Sequence, residues 1–561
     1  MTQPASRVAA WAHGWRQYAW LSALALLYFA PGIASLPPTD RDEARFVQAT
    51  RQMLESDDYV RIRFQDKPRH KKPAGAYWLQ AAAVHAVAEP STRAMWPYRL
   101  PSLLAAWATL LIGFRLARGL VGAETALVAA TILGTTAVLV AEAHLAKADA
   151  ALLLTVVVAQ GILGQAYVGA RRSDPAPSTA TAMTLWLALG VGILVKGPVL
   201  PGVFAATVLA LAVADRGARW LWRLRPIMGA ALCAAVTAPW FIAVQQATDG
   251  AFIAQAVGED ILPKLLGVHE SHGGPPGFYA VTSFASFWPW SLWTVPALLH
   301  AWTNRRRPDV RFFLAWLLPS FAVLELAPTK LPHYVLPLFP ALAALVALLL
   351  RDGVAAVLAR RPRLVGLGFA AWLVVGAALS AVVIAGPIYF DGRPSFTALL
   401  AAGLAIVVIA TAWREGLNAM AQRWLALPLV AALGFPLFLG FVFPSIDNLW
   451  VSVRLGRAIA SVRPPGSSTA NLLVVDYNEP SLVFLQGTAT QLVAADTAAA
   501  RWIEDCAAVA VVRERSDPAF HAAMAVRGAD AVEPATEVTG FNYSNGKWLR
   551  FRVYAREGCS A

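Results

Sequence analysis

Asp42 and Glu43 form an adjacent carboxylate pair in the segment Pro37-Pro38-Thr39-Asp40-Arg41-Asp42-Glu43-Ala44-Arg45-Phe46. A carboxylate held beside an acceptor hydroxyl can take its proton, and general-base help of this kind gives about 10²–10⁴-fold in rate. The same pair suits the first turn of a helix, where the dipole favours anions and Thr39 or Asp40 could serve as cap. Phe46, Thr50, Met53 and Leu54 share one stripe of that helix. A capped interfacial helix with solvated acids therefore accounts for the pair at least as well.

Cations come next. Lys67, Arg69, His70, Lys71 and Lys72 precede Pro73, Gly75, Tyr77 and Trp78. Cations beside an aromatic-flanked amphipathic segment suit a phosphate or a lipid headgroup at a membrane interface, and equally a plain electrostatic anchor. Further on, Glu142, His144, Lys147 and Asp149 crowd one turn, and Lys196 stands among apolar neighbours before Gly197-Pro198. An ionised group at a bilayer centre costs roughly 2.5–3.5 kcal/mol on insertion scales, so these residues belong at a span mouth or beside a wet cavity. Asp149 and Lys147 could simply pair with each other, whereas Lys196 needs an anion from elsewhere. The 247–278 segment supplies Glu259, Asp260, Lys264, His269, Glu270 and His272. His269, Glu270 and His272 could hold a metal, but their spacing is not HExxH and so short a cluster is a weak signal. Phe278, Tyr279, Phe284, Phe287, Trp288 and Trp290 follow, in the manner of an interface belt. Thr329-Lys330-Leu331-Pro332-His333-Tyr334 then brings a cation, an imidazole and a phenol between two apolar runs.

The elements that must position these groups are membrane helices. Of 561 residues, 57% are hydrophobic and 14% charged, and mean hydropathy is +0.53. Soluble domains carry about 25% charged residues. The net charge of +13 does not point to nucleic acid, because the arginines punctuate apolar runs. Spans of roughly 20 apolar residues fit 18–36, 98–117, 122–140, 148–168, 182–196, 198–214, 226–246, 279–302, 311–327, 334–350, 364–386, 396–413 and 424–444. Pro198 and Gly197 break the long 182–214 run into two. The first run lacks a clean cleavage site and reads as a retained span. Arginine-rich connections, among them Arg115–Arg118, Arg171-Arg172, Arg216–Arg225 and Arg305–Arg307, face the cytoplasm by the positive-inside rule. The 37–97 loop, the 142–149 turn, the Lys196 turn, the 247–278 loop and the 329–334 turn then share the opposite side. The basic 37–97 loop breaks the charge rule, so its cations have another task. An odd number of spans leaves the tail outside.

The 1–448 portion is thus expected to be the membrane domain and 449–561 a small periplasmic α/β domain. Asn471–Asp476, Thr490–Ala494, Val509–Arg513 and Trp548–Tyr554 pattern as strands, and Phe541–Gly546 as a turn. Cys233 lies in an apolar run, while Cys506 and Cys559 could pair if the tail is exported. No internal repeat is visible.

Taken together, Asp42-Glu43-Ala44-Arg45, Lys71-Lys72-Pro73 before Gly75, Tyr77 and Trp78, Lys196-Gly197-Pro198, and Lys330 to Tyr334 resemble the bacterial aminoarabinose transferases of lipid A. These belong to the lipid-dependent, multispan GT-C glycosyltransferases, a group that includes protein O-mannosyltransferases. The resemblance runs through the membrane portion in order. It implies an all-α polytopic membrane protein of about thirteen transmembrane helices, interfacial helices in the first periplasmic loop, and a C-terminal periplasmic α/β domain. It also implies a polyprenyl-phosphate sugar as donor at the bacterial inner membrane, with an envelope lipid or glycan as acceptor, or a secreted protein in a protein O-glycosyltransferase of the same fold. The family's first-loop acid falls on Asp42, its loop lysine on Lys72, its membrane-mouth acid on Asp149, its turn lysine on Lys196 and its late tyrosine on Tyr334. Two departures stand out. Lys71 replaces an acid that the family links to a bound metal, and the family's phosphate-binding arginine has Lys264 as its nearest counterpart.

On this reading Asp42 takes the acceptor's proton, with Glu43 or Asp149 as helper or orienter. Lys72, Lys196, Lys264, Arg45 and Tyr334 meet the donor phosphate. Lys71, Tyr77, Trp78, Lys330, His333, His269 and His272 contact substrate. No cofactor is required, and a divalent metal is the lesser alternative. A flippase or transporter would also place charges among spans, but transporters favour inverted repeats and midplane sites. An envelope scaffold would leave the charged turns without a task.

Overall fold

The computed structural model describes residues 14–256, 258, 274–463 and 468–556. Lys264, His269, Glu270, His272 and Cys559 lie outside the described residues. Apolar runs form helices because lipid offers a backbone no hydrogen-bond partner but itself. The first is α1 (Arg16–Phe29). The first loop follows, with helix α2 (Asp42–Ser56), the two-residue strands β1 (Arg63–Phe64) and β2 (Lys67–Pro68), and helix α3 (Gly75–Val87). Then come α4 (Trp96–Val121), α5 (Ala123–Gly134), α6 (Ala137–Ala143), α7 (Asp149–Arg172), α8 (Thr179–Lys196), α9 (Val199–Asp215) and α10 (Pro226–Ala247). After a broken segment, Phe278–Ser286 with Thr294–Thr303, the bundle continues through α11 (Pro308–Leu326), α12 (Pro332–Asp352), α13 (Pro362–Asp391), α14 (Phe396–Leu417) and α15 (Ala426–Ser445).

Every expected span contains helix, but the lengths are uneven. Among the described residues, eight helices are long and apolar enough to cross a membrane, and nine if α5 and α6, bent by 66°, count as one. The chain is a multi-pass membrane protein. The most enclosed span is α7, with 83% of its apolar window buried. Gly161 and Gly164 make that possible: a Cβ at either would stand 2.7 Å from the side chains of Leu116 on α4 or Phe312 on α11. Small residues let membrane helices approach closely where water supplies no driving force.

The first-loop helices lie against this bundle. A Cβ on Gly75 would sit 2.7 Å from the Leu194 carbonyl oxygen, so glycine is what lets α3 start against the end of α8. Neither Thr39 nor Asp40 caps α2 through its side chain, contrary to expectation. Arg41 holds the cap position in a left-handed conformation, φ 63° and ψ −96°. Glu43 instead reaches back to the Thr39 amide at 2.9 Å and hydroxyl at 2.8 Å.

Beyond the spans lies an α/β domain: α16 (Val451–Val462), β3 (Leu472–Val475), α17 (Pro480–Gln486), β4 (Gln491–Val493), α18 (Ala495–Glu504), β5 (Val509–Arg513), α19 (Asp517–Val526), β6 (Thr536–Asn542) and β7 (Lys547–Tyr554). The sheet order is β4-β3-β5-β7-β6. Its first three strands are parallel, and β7 joins β5 and β6 antiparallel. Val451, Leu455 and Ile459 pack on one face; Ala498, Trp502, Phe520 and Met524 pack on the other. Strand β6 is a correction, because Phe541 and Asn542 pair with Trp548 and Lys547 rather than turning. Polar residues and Gly540 masked the alternation there; the half-buried edge position explains why they are tolerated.

The domain is pinned to the first loop. Phe484 of α17 is fully buried among Val47, Leu54, Ala81, Val84, Met95 and Tyr98, and Arg51 donates to its carbonyl at 3.0 Å. Truncating it as Phe484→Ala leaves a cavity at that joint and should cost about 3–5 kcal/mol. A lowered Tm in detergent and faster proteolysis around α17 are the expected readouts; wild-type values for both would show that Phe484 does not pin the domain.

Candidate functional site

Glu43 is the best-anchored acid of the first loop. It is fully buried and meets Arg99 of α4 side-on, Nε to Oε1 at 2.8 Å and Nη2 to Oε2 at 3.0 Å. It also accepts the Ala146 amide at 2.8 Å. Burial alone would raise its pKa, but the Arg99 charge and the hydrogen bonds from Arg99, Ala146 and Thr39 hold the carboxyl below the usual range. Arg99 spends its remaining donors on the carbonyls of Ile33, Leu36 and Pro37. With its lone pairs so engaged, Glu43 orients rather than reacts. The network joins the exit of α1, the start of α2, the second span and the α6–α7 turn.

Asp42, one residue earlier, is exposed at the start of α2. Among the described residues it makes no hydrogen bond or ion pair, so its carboxylate is available. It lies close enough to Lys147, His333 and Arg45 to act on their charges.

Beside it the span mouths supply a second cluster. Lys147 pairs with Glu142 at 2.9 Å rather than with Asp149. Asp149, at the first turn of α7, takes Lys196 from the end of α8 at 2.5 Å. His333 stands 3.9 Å from Asp149 and 4.0 Å from Glu142. Lys196 also lies over the Tyr334 ring, 5.2 Å from its centre, a cation–π contact that keeps the ammonium in place without neutralising it. The Gly197 backbone, φ 64°, turns the chain directly after this lysine.

A cavity of about 320 Å³ opens at the same mouth, lined by Lys71, Lys72, Lys196, Pro198, Phe241 and Phe252 among others. Three ammonium groups share it with apolar walls. Ammonium groups suit a phosphate, and the apolar walls suit a lipid chain attached to one.

Other expected contacts fall elsewhere. Tyr77 is fully buried, stacked on Phe46 at 5.0 Å, with its hydroxyl accepting from Arg69 at 3.1 Å. Trp78 donates to the Tyr59 carbonyl at 2.8 Å. Both aromatics help build the loop core, Tyr77 fully buried and Trp78 half-buried. Lys330 is buried and donates to the Gly274 carbonyl at 2.8 Å, tying the loop before Phe278 to the 329–334 turn. Arg45 is half-buried near Arg69. Arg99 escaped the sequence reading; its signal was an arginine at the head of an apolar run, in Tyr98-Arg99-Leu100-Pro101.

The acid that the resemblance ties to a metal is replaced by Lys71, whose ammonium lines the cavity with two others. Among the described residues no group of three or more His, Cys, Asp or Glu side chains is arranged to hold a metal ion. His269, Glu270 and His272, the weak metal candidates, lie outside the described residues, and the proposed mechanism uses no metal.

Residues 71–242 match the family described as dolichyl-phosphate-mannose-protein mannosyltransferase. An undecaprenyl phosphate-α-4-amino-4-deoxy-L-arabinose arabinosyl transferase of Pseudomonas paraeruginosa is 29% identical over 425 residues, 73% of this chain and 74% of that one. The counterpart from an Enterobacter species is 26% identical over 54% of each. In structure, ArnT from Cupriavidus metallidurans bound to undecaprenyl phosphate superposes with a TM-score of 0.70 at 19% identity, over 98% of this chain and 100% of that one. An oligosaccharyltransferase of Archaeoglobus fulgidus reaches 0.52 at 12% identity, over 98% of this chain and 76% of that one.

Fold and mouth together define a multispan membrane protein with the fold that these solved transferases share. Within that class the chain is similar to the aminoarabinose transferases, and it shares their fold from the first span to the C-terminal sheet.

Breaking the Arg99–Glu43 pair leaves an unanswered buried charge, so Glu43→Gln should cost about 3–5 kcal/mol. The folded pKa of Glu43 is depressed, so its stabilisation is complete above the ordinary glutamate value and is lost as pH falls through it. Thermal melts at pH 7 and pH 4 should show a steeper loss for wild type than for Glu43→Gln; parallel losses would count against the pair.

Proposed function

We propose that this protein moves a sugar from a polyprenyl-phosphate donor to an envelope acceptor, lipid A or another glycolipid or glycan, at the periplasmic face of the bacterial inner membrane. One observation carries the reading: an exposed carboxylate, Asp42, stands within electrostatic reach of Lys147 and His333 in the span-mouth cluster, whose Lys196 lines a cavity with Lys71, Lys72 and apolar walls. The printed activity of the Pseudomonas relatives and the undecaprenyl phosphate held by the Cupriavidus protein supply the donor class.

In this mechanism the donor phosphate lies by Lys71, Lys72 and Lys196, with its lipid along the apolar wall. An acceptor oxygen attacks the anomeric carbon, the carbon–oxygen bond to phosphate breaks, and polyprenyl phosphate leaves. Charge develops on the leaving oxygen, and fixed ammonium groups stabilise it more than they stabilise the bound donor. Asp42 takes the acceptor's proton where the acceptor is a hydroxyl. Where the acceptor is an ionised phosphate no base is needed, and Asp42 orients it. Asp149 holds Lys196 toward the cavity, and His333 and Tyr334 line the approach. Lys264, His269 and His272 keep the roles expected from sequence.

Topology follows the same reading. The N-terminus is cytoplasmic, and the mouth and C-terminal domain are periplasmic. The arginine distribution supports it, as does the disulfide at Cys506, a bond that persists in oxidising compartments.

Asp42→Asn, folded as wild type, should lose about 10²–10⁴-fold in kcat with a hydroxyl acceptor. Purified enzyme with undecaprenyl-phosphate aminoarabinose and lipid A measures this directly, and near-normal turnover would remove Asp42 from both catalytic and orienting roles. Lys72→Ala should weaken binding of undecaprenyl phosphate itself, read by a direct binding assay; unaltered affinity would take Lys72 out of the phosphate site.

A further inference from the structure

We infer that Ser481 and Tyr543 of the C-terminal domain are positioning residues for Asp42, acting through its neighbour Asp40; the inference rests on the proposed transfer reaction. Asp42 is held by its backbone, not by a side-chain contact, so the conformation of the preceding turn decides where it points. That turn is strained. Arg41 sits at φ 63° and ψ −96°, a region that a residue with a side chain keeps only when its surroundings over-determine it. One side is fixed by Glu43 in its Arg99 and Ala146 clasp.

The other side is fixed from outside the membrane body. The Asp40 amide donates to the Tyr543 phenol oxygen at 2.6 Å, and the Ser481 hydroxyl donates to the Asp40 carboxylate. Ser481 lies 2.6 Å from Ser452, which lies 2.9 Å from the Tyr477 hydroxyl. All three are buried, at 1%, 4% and 2% exposure. A buried polar chain must end on a partner, and this one ends on a residue of the first loop. It draws on α16, α17 and the segment after β3, while Tyr543 comes from the β6–β7 turn and packs on Trp450. Burial and the nearby Glu479 push the Asp40 carboxyl up to about 7, against the pull of Ser481 and Arg41, which marks Asp40 as an enclosed joint. A displacement of about 1 Å at a catalytic group can cost 10²-fold, so slack in this joint reaches the reaction.

The full-length protein in detergent is compared as wild type, Ser481→Ala, Ser481→Thr, Tyr543→Phe and Gln65→Ala. Gln65 ties the same domain to the same loop, donating to the Thr488 and Thr490 carbonyls at 3.1 and 2.6 Å, but does not touch Asp40. With undecaprenyl-phosphate aminoarabinose and lipid A, Ser481→Ala and Tyr543→Phe should each lose about tenfold in kcat. Their donor KM and undecaprenyl phosphate affinity should stay at wild-type values. Hydrogen exchange at residues 39–44 should quicken in both, Ser481→Thr should restore both readouts, and Gln65→Ala should change neither. Equal losses in Gln65→Ala, or unchanged kcat and exchange in both joint variants, overturn the inference. Wild type inactive on these substrates would defeat the proposed reaction instead, and the exchange comparison would still decide whether the joint holds the turn.

Discussion

Arg99 carries a permanent charge into a place with no measurable exposure, and Glu43 answers it in kind. Desolvating both ions is expensive, and their attraction offsets the cost only because every remaining donor and acceptor is also used. The guanidinium reaches three carbonyls at the exit of α1, and the carboxylate reaches two amides, of Thr39 and Ala146, and the Thr39 hydroxyl. One pair therefore fixes the relative positions of the first span's exit, the start of α2, the second span and the α6–α7 turn. Both flanks of the candidate site, Asp42 and the 142–149 turn, hang from it. A looser pair would leave each flank packed on its own helix with nothing to set the gap between them.

The same logic continues at the span mouths, with a different balance. Glu142 with Lys147, and Asp149 with Lys196, are paired acids and bases at the ends of apolar helices. Opposite charges about 4 Å apart near a protein surface attract by roughly 4 kcal/mol, enough to hold a lysine in one place. Lys71 and Lys72 then tip the cavity positive, so it enters the reaction already organised for an anion. Lys196 does two jobs there: it satisfies Asp149 and still faces the cavity. A transporter would need such groups near the midplane with matching halves; here they lie at one mouth, under a folded domain.

Much of this was legible in the sequence, for a physical reason. A charge in an apolar run must find a partner or water, so Asp149, Lys196, His333 and Tyr334 announced themselves, and the structure brings them together. Which charge pairs with which did not show: Lys147 meets Glu142, five residues back at the end of α6, while Asp149 is taken by Lys196 from α8. An aromatic beside cations reads the same whether it stacks on substrate or, as Tyr77 does, on Phe46. Asp40 with Ser481 lies 441 residues apart in sequence, and no local pattern reports a contact at that range. Strand β6 hid behind Gly540 and the exposed Glu537 and Thr539.

Placing the proposed general base, Asp42, on an interfacial helix solves a problem that the spans cannot. A base buried among apolar helices would have its charged form disfavoured, and a mobile loop would hold it too loosely. At the first residue of α2, Asp42 keeps access to water while its backbone is fixed from two sides. The membrane body grips Glu43 through Arg99, and the C-terminal domain grips Asp40 through Ser481 and Tyr543. Neither grip alone would hold Arg41 in its strained conformation, because the turn could relax toward the free side. The two halves of the molecule thus meet at one residue, and the domain beyond the spans is part of how the membrane-mouth acid is aimed.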